Sequence, residues 1–343
     1  MEQLALTRAS TIGPIVDIVD RGGGSVERVF SAAELPLHLS ETPDALVPLR
    51  DQFKLVEFAA RELGDEALPA RLATSAGIAG LGAYGKRFIA APSLGTAIRM
   101  GNDIIGSTLQ SATRMTLTVD RGLARWTYDV ADPARIGRQK NAILATGYIV
   151  HLLRRFVGAN WTPNRAELPG APPQGRTAIE ALYRCEIVSG NEVAVSFPAD
   201  FLEIPNPAPA HCDAVEIDRA LPPSDDFCAS VRELIRLSLL DKRPQRAWVA
   251  RRLNVSVRTL QRRLREQGTS FAEAVRGIVE QRAVELLRRR NVSVTEIAYE
   301  LGYSDPAHFT RAFVHWFGEP PQVWRRRQGR VMIGALQPPG SDR

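Results

Sequence analysis

The sequence predicts an α+β N-terminal domain followed by an all-α domain with two helix-turn-helix motifs joined by a connector helix. Three observations carry this. First, residues 249–268, VARRLNVSVRTLQRRLREQG, are echoed by residues 297–318, IAYELGYSDPAHFTRAFVHWFG. Ala250, Leu253 and Ser256 recur 48 positions later as Ala298, Leu301 and Ser304. After one inserted residue, Leu260 and Arg262 recur 49 positions later as Phe309 and Arg311. Two copies fit a paired element better than a solenoid. Second, Pro205, Pro207, Pro209, Pro222 and Pro223 interrupt the chain between the halves. Third, the part before them mixes helix and strand periodicities, whereas the part after reads as helix throughout.

Within the N-terminal part, residues 49–63 and 136–156 read as helices. Ile143, Leu144, Gly147, Tyr148 and Leu152 keep three- and four-residue spacing, expected to fill a core rather than line a pocket. Residues 116–119 and 123–128 read as strands joined by a turn at Asp120, Arg121 and Gly122. Residues 187–188 and 193–197, separated by Ser189, Gly190 and Asn191, predict a second hairpin. Residues 206–223 read as a linker or loosely packed connection.

Beyond it, Ser224 is the expected N-cap of a helix bearing Asp225 and Asp226 in its first turn. A short helix is expected over 245–253, a turn at Asn254 and Val255, and a helix capped by Ser256 and ended by Gly268. Ser270 opens a longer connector with Phe271, Ala274, Val275, Ile278, Ala283, Leu286 and Leu287 on one face. Ser293 and Ser304 are the expected caps of the second copy's two helices, and Pro306 fits a first turn, where its missing N–H costs little. The expected domains are therefore 1–205, the linker 206–223, a helical domain 224–330 and a flexible tail 331–343.

Composition sets further bounds. The chain has 343 residues, 44% apolar and 24% charged, enough for two ordinary globular domains. No run approaches a membrane span, and the opening MEQLALTRAS lacks a secretory pattern, so a cytoplasmic protein is expected. Three irregularly spaced cysteines fit a reducing compartment. Net charge is +6, yet residues 241–330 hold 19 Lys+Arg against 9 Asp+Glu. Such an asymmetry points to a polyanionic partner for the C-terminal part. Only four of the 44 basic residues are lysine, and that bias explains the choice of Arg but not where the charge lies.

A helix-turn-helix lays its first helix across a DNA backbone and its second in the major groove. With Leu260 and Leu264 inward, Arg258, Gln261 and Arg262 face out. Arginine suits guanine O6/N7, and glutamine suits adenine N6/N7. With Phe309 and Phe313 inward, the second copy offers Ala307, Thr310 and Arg311, a smaller face with one cation, expected to read weakly. Ser256, Arg263 and Arg325 are the expected backbone contacts. The connector spans roughly 28 Å at 1.5 Å per residue, a strut able to hold both helices on double-stranded DNA at two adjacent major-groove segments.

Residues 225–327 resemble the DNA-binding domain of the AraC/XylS transcription regulators. Ala250, Leu253, Ser256, Leu260, Arg262, Gly268, Phe271, Ala298, Leu301, Gly302, Tyr303, Phe309, Arg311, Phe313, Gly318, Pro321, Trp324 and Arg325 carry the resemblance, closing on GEPPQVWR. One departure is Val279, where the family commonly has an arginine for phosphate or helix packing. The N-terminal part is similar to the arabinose-binding-type domain of the branch holding the ornithine-utilisation and VirS-like regulators. The segments are IAGLGAYGKRFIAAPSLGTAIR at 78–99, RQKNAILATGYIVHLLRRFVGANWTP at 138–163 and the stretch 183–204. The resemblance implies a homodimeric activator that contacts RNA polymerase, with an N-terminal sensing domain for a small-molecule effector it does not name.

Other chemistry finds little support. Gly22, Gly23 and Gly24 lack the Lys-Ser/Thr of a phosphate loop. His308 and His315 have no further ligand nearby, and the neighbours His211 and Cys212 read as a chance pair. No cofactor, metal site or catalytic set is expected. Two readings remain: a sequence-specific regulator gated by a metabolite, and an effector-independent or architectural DNA-binding protein whose N-terminal domain only dimerises.

Overall fold

The computed structural model describes residues 4–208, 220–241, 244–289 and 291–334. Two compact units emerge, Met1–Glu233 and Leu234–Arg343.

In the first unit, strands β1 (Leu6–Arg8) and β2 (Leu46–Pro48) form an antiparallel pair. A five-stranded sheet is built from β3 (Thr113–Asp120), β4 (Leu123–Val130), β5 (Arg165–Pro169), β6 (Glu186–Gly190) and β7 (Val193–Pro198) in the order β3-β4-β7-β5-β6. β3 and β4 make the expected hairpin, with Arg121 and Gly122 at φ 47° and 79°. That is the double left-handed turn whose twist suits a two-residue connection.

The second expected hairpin is not formed. β6 pairs in parallel with β5, and β7 pairs antiparallel with β4 and β5, so β5 lies between them. The turn residues at 189–191 fix a reversal but not a partner. The helix Arg176–Tyr183 carries the chain from β5 to its parallel neighbour β6, the crossover that parallel pairing requires.

Helices pack on this sheet: Arg138–Val157 on β5 and β7, and Leu94–Thr108 on β3. Both long helices stand where expected, at Leu49–Leu63 and Arg138–Val157. Most of the latter is buried, including Ile143, Leu144, Leu152 and Leu153.

The expected linker is anchored at its two described ends. Asn206 Nδ2 donates to the carbonyls of Ile89 (2.7 Å) and Ala91 (2.8 Å), satisfying acceptors at the end of the helix Gly82–Ala90. The Leu221 N–H donates to Ser107 O at 2.7 Å, and its side chain is buried. The middle of that stretch, with His211 and Cys212, lies outside the described residues. The next helix, Phe227–Ser238, is capped by Asp226 and not Ser224: the Asp226 carboxylate accepts the Ala229 N–H at 2.8 Å. The division between units falls inside this helix.

The second unit continues through Arg246–Arg252, Val257–Glu266, the connector Phe271–Arg288, Val294–Glu300, Pro306–Phe317 and Pro321–Gly334. The last helix thus runs through 331–334, where a flexible tail was expected; residues 335–343 lie outside the described residues. Among the described residues no helix is long and apolar enough to cross a membrane.

Capping boxes start two of these helices, Ser270 with Glu273 and Ser293 with Glu296. Each joins two otherwise unpaired backbone donors to side-chain oxygens. Around the second copy, Ala283, Leu286 and Leu287 of the connector pack with Ile297, Ala298, Phe309, Phe313 and Trp324. Val279 belongs to this cluster, so the position where the family commonly has arginine is used here for apolar packing.

Candidate nucleic-acid interface

Both copies are built from the same backbone device. In the first, Val249 and Ala250 are buried on the first helix and Leu260 and Leu264 on the second. In the second, Ile297 and Ala298 answer Val249 and Ala250, while Phe309 and Phe313 answer the two leucines. Between the helices, Asn254 and Gly302 both take a left-handed conformation. The Val255 N–H then returns to Ala250 O (3.0 Å), and the Tyr303 N–H to Ala298 O (2.9 Å). These bonds use carbonyls that a helix end leaves unpaired and fix the angle between the two helices.

The copies differ at the next step. Ser256 caps the first reading helix by accepting the Thr259 N–H at 3.0 Å. In the second copy the cap is Asp305, not Ser304: its carboxylate accepts the Ala307 N–H at 2.8 Å. Hence the inserted residue is taken up at Ser304, before the cap, and every later position keeps the offset of 49. The second cap carries a negative charge at the helix N-terminus, and the first does not.

With the leucines inward, Arg258 and Arg262 are exposed and Gln261 is half-buried. Arg262 makes an exposed contact to Glu266 of 3.6 Å, one turn along. Such a pair contributes little in water, about 0.3–0.5 kcal/mol, and gives way easily to a stronger anion. On the second reading helix, Ala307 and Arg311 are exposed, and Thr310 is half-buried. The Thr310 hydroxyl donates to Pro306 O at 3.0 Å, so it offers a base only its acceptor lone pairs and its methyl group. Ser256 lies exposed at the start of its helix, and Arg263 is half-buried beside Leu264.

Arg325 is half-buried. It turns inward, with Nε donating to Leu287 O at 3.0 Å and one terminal nitrogen buried without a partner. That bond satisfies a carbonyl at the end of the connector, where a cation also meets the negative end of the helix dipole.

Sequence reasoning missed two further placements. Arg282 of the connector reaches Glu300 at 2.8 Å, tying it to the first helix of the second copy. Arg252 is buried with its guanidinium 3.7 Å from the Trp248 ring centre, while its neighbour Arg251 is exposed. Helical spacing held the signal for the second: Trp248 and Arg252 are one turn apart.

Comparison with known proteins agrees with this arrangement. The arabinose-binding domain of AraC transcription regulators, N-terminal, matches residues 23–206, and a helix-turn-helix domain matches residues 249–327. The ornithine utilization regulator of Pseudomonas aeruginosa is 25% identical over 321 residues, covering 91% of this chain and 94% of that protein. The HTH-type transcriptional regulator GlxA of Rhizobium meliloti is 44% identical over 85 residues, covering 24% of this chain and 26% of its own length. The crystal structure of the transcriptional regulator CdpR from Pseudomonas aeruginosa aligns with 76% of this chain and 87% of that one, at 22% identity and a TM-score of 0.37. The arabinose-binding-type match spans more than half of the chain, and the chain belongs to the AraC family of DNA-binding transcription regulators.

Proposed function

We propose that the protein is a sequence-specific regulator, an activator acting in the cytoplasm, whose DNA binding is controlled by a small metabolite. Residues 1–205 serve sensing and dimerisation, and residues 224–330 bind DNA. The observation that carries this reading is the exposed face of the first reading helix, where Arg258, Gln261 and Arg262 flank the buried Leu260 and Leu264. Arg258, Gln261 and Arg262 read base edges there. Ser256 and Arg263 hold the backbone. Ala307, Thr310 and Arg311 meet the adjacent groove segment with fewer specific donors. An N-terminal domain of this size exceeds what pairing two chains requires, which supports effector control. Family membership supports a homodimer and a contact with RNA polymerase.

Genomic DNA capture with the full chain at about 0.15 M salt tests this, since affinity for DNA depends steeply on salt. The expected result is a few enriched sites, each holding two short boxes about one helical turn apart. Their recovery should change when cell metabolites are added. Diffuse recovery that metabolites do not sharpen would favour the architectural reading instead.

A further inference from the structure

The N-terminal unit holds a cavity of about 60 Å³ between the β3–β4 hairpin and the helices Gly82–Ala90 and Arg138–Val157. A single water needs about 10–15 Å³, so the space takes a molecule of about four to six non-hydrogen atoms as the walls stand. None of the side chains lining it is charged, and none is a histidine. An unpaired carboxylate or ammonium buried there would lose its hydration with nothing to replace it.

The polar groups on the wall are not equivalent. Tyr84 donates its proton to Gly101 O (3.2 Å) and Tyr148 to Thr11 O (3.5 Å). Tyr128 is different: its hydroxyl oxygen accepts from Gln110 Nε2 at 2.6 Å and from Asn141 Nδ2 at 3.0 Å. The Gln110 amide is fixed in that sense, because Nε2 also donates to Thr113 Oγ1 (2.7 Å), whose own proton goes to Ser111 O (3.2 Å). Both acceptor positions of Tyr128 are therefore filled, and its O–H finds no acceptor among the described residues. Turning the Asn141 amide over gives Tyr128 an acceptor but frees the Asn141 N–H groups at the same wall. Either way a buried donor is left unspent at one end of an apolar space. Burial pushes the Tyr128 phenol up, against the opposing pull of Asn141 and Gln110, so it stays protonated near neutral pH.

The geometry points to this cavity as the effector site, taking a compact, uncharged, largely apolar molecule with one hydrogen-bond acceptor, of the small ketone, ester or lactone class. Apolar walls supply the affinity, and the donor at Tyr128 and Asn141 selects an acceptor oxygen. Free amino acids, amines and carboxylates are excluded by the absence of any countercharge. This rests on reading the N-terminal domain as a sensor.

Thermal unfolding of the full chain tests it with four probes of five or six non-hydrogen atoms: cyclopentanone, cyclopentane, cyclopentylamine and isobutyrate. A ligand that binds only the folded state raises the melting temperature in proportion to its occupancy. Cyclopentanone should raise it at millimolar concentration, cyclopentane less, and the two charged probes not at all. Ala145→Leu fills the space and should abolish the shift. Tyr128→Phe keeps the ring and removes one O–H; it should erase most of the preference for the ketone over cyclopentane, a change of up to about tenfold. Equal shifts from the charged probes, or an undiminished shift in Ala145→Leu, would overturn the assignment. So would the absence of any shift with the neutral probes. If metabolites alter DNA capture while these probes fail, the sensor reading stands and this site falls. If neither responds, both fall.

Discussion

Asn254 and Gly302 stand 48 residues apart and hold the same left-handed backbone position, at φ 52° and 79°. Each N–H closes onto the carbonyl three residues earlier, Arg251 at 3.1 Å and Tyr299 at 2.9 Å. The repeat is therefore a repeat of backbone geometry. Gly302→Ala should cost about 1–2 kcal/mol, because a side chain in this conformation meets the following carbonyl. Gly302→Asn should cost less, since asparagine tolerates this region and does so at 254. Thermal unfolding checks the order; equal losses would mean that the turn's shape does not limit stability.

The second copy is held by an aromatic cluster. Phe313 lies 4.5 Å from Phe317 and 6.2 Å from Trp324, measured between ring centres, with Trp324 meeting it edge-on. Phe313→Ala and Trp324→Ala should each cost about 3–5 kcal/mol, and the double variant less than their sum, because they share one cavity. Denaturant unfolding of all three variants gives the coupling. Strict additivity would place the two rings in independent environments.

Arg325 separates two roles by experiment. Arg325→Ala should lower the melting temperature through the lost bond to Leu287 O and leave the salt dependence of DNA binding unchanged. If the residue met a phosphate instead, the salt slope would fall by about one with little effect on stability.

Acid should weaken the start of the helix Val294–Glu300. The Ser293 backbone N–H and then its hydroxyl hold Glu296 below the ordinary glutamate range. A depressed folded value contributes stability that is complete above the unfolded value, about 4.3. That contribution is lost as pH falls through the lower folded value. Glu296→Gln should flatten this part of the acid-unfolding profile; an unchanged profile would show that the box does not persist in solution.

How much the sequence revealed follows from the range of each interaction. Periodicity placed Leu260, Leu264, Phe309 and Phe313 inside and Arg258, Arg262 and Arg311 outside, because a helix fixes its own faces. The serines at 256, 270 and 293 cap as expected, since the bond reaches three residues along. Where two polar residues adjoin, position alone did not choose between them: Asp226 displaced Ser224, and Asp305 displaced Ser304. Strand pairing was less legible. The turn before Val193 was visible, but β7 pairs with β4 and β5 and not with β6, which a crossover helix sets parallel to β5. The Arg325 bond could not be read from its neighbours, because its acceptor, Leu287, lies 38 residues away. The helix 141–156 proved to be both wall and core: Asn141, Leu144 and Tyr148 line the cavity, and Ile143, Leu152 and Leu153 are buried.

The central claim is that the first reading helix supplies base specificity and the second mainly general affinity. Selection from a random duplex library at fixed salt, with the native chain, Arg262→Ala and Arg311→Ala, tests this most directly. Arg262→Ala should weaken the preferred site by about 1–3 kcal/mol and relax the preference at one base position. Arg311→Ala should lower affinity for all sequences alike, with preferences kept. A larger change of base preference on losing Arg311 than on losing Arg262 would contradict the account and reverse the roles of the two helices.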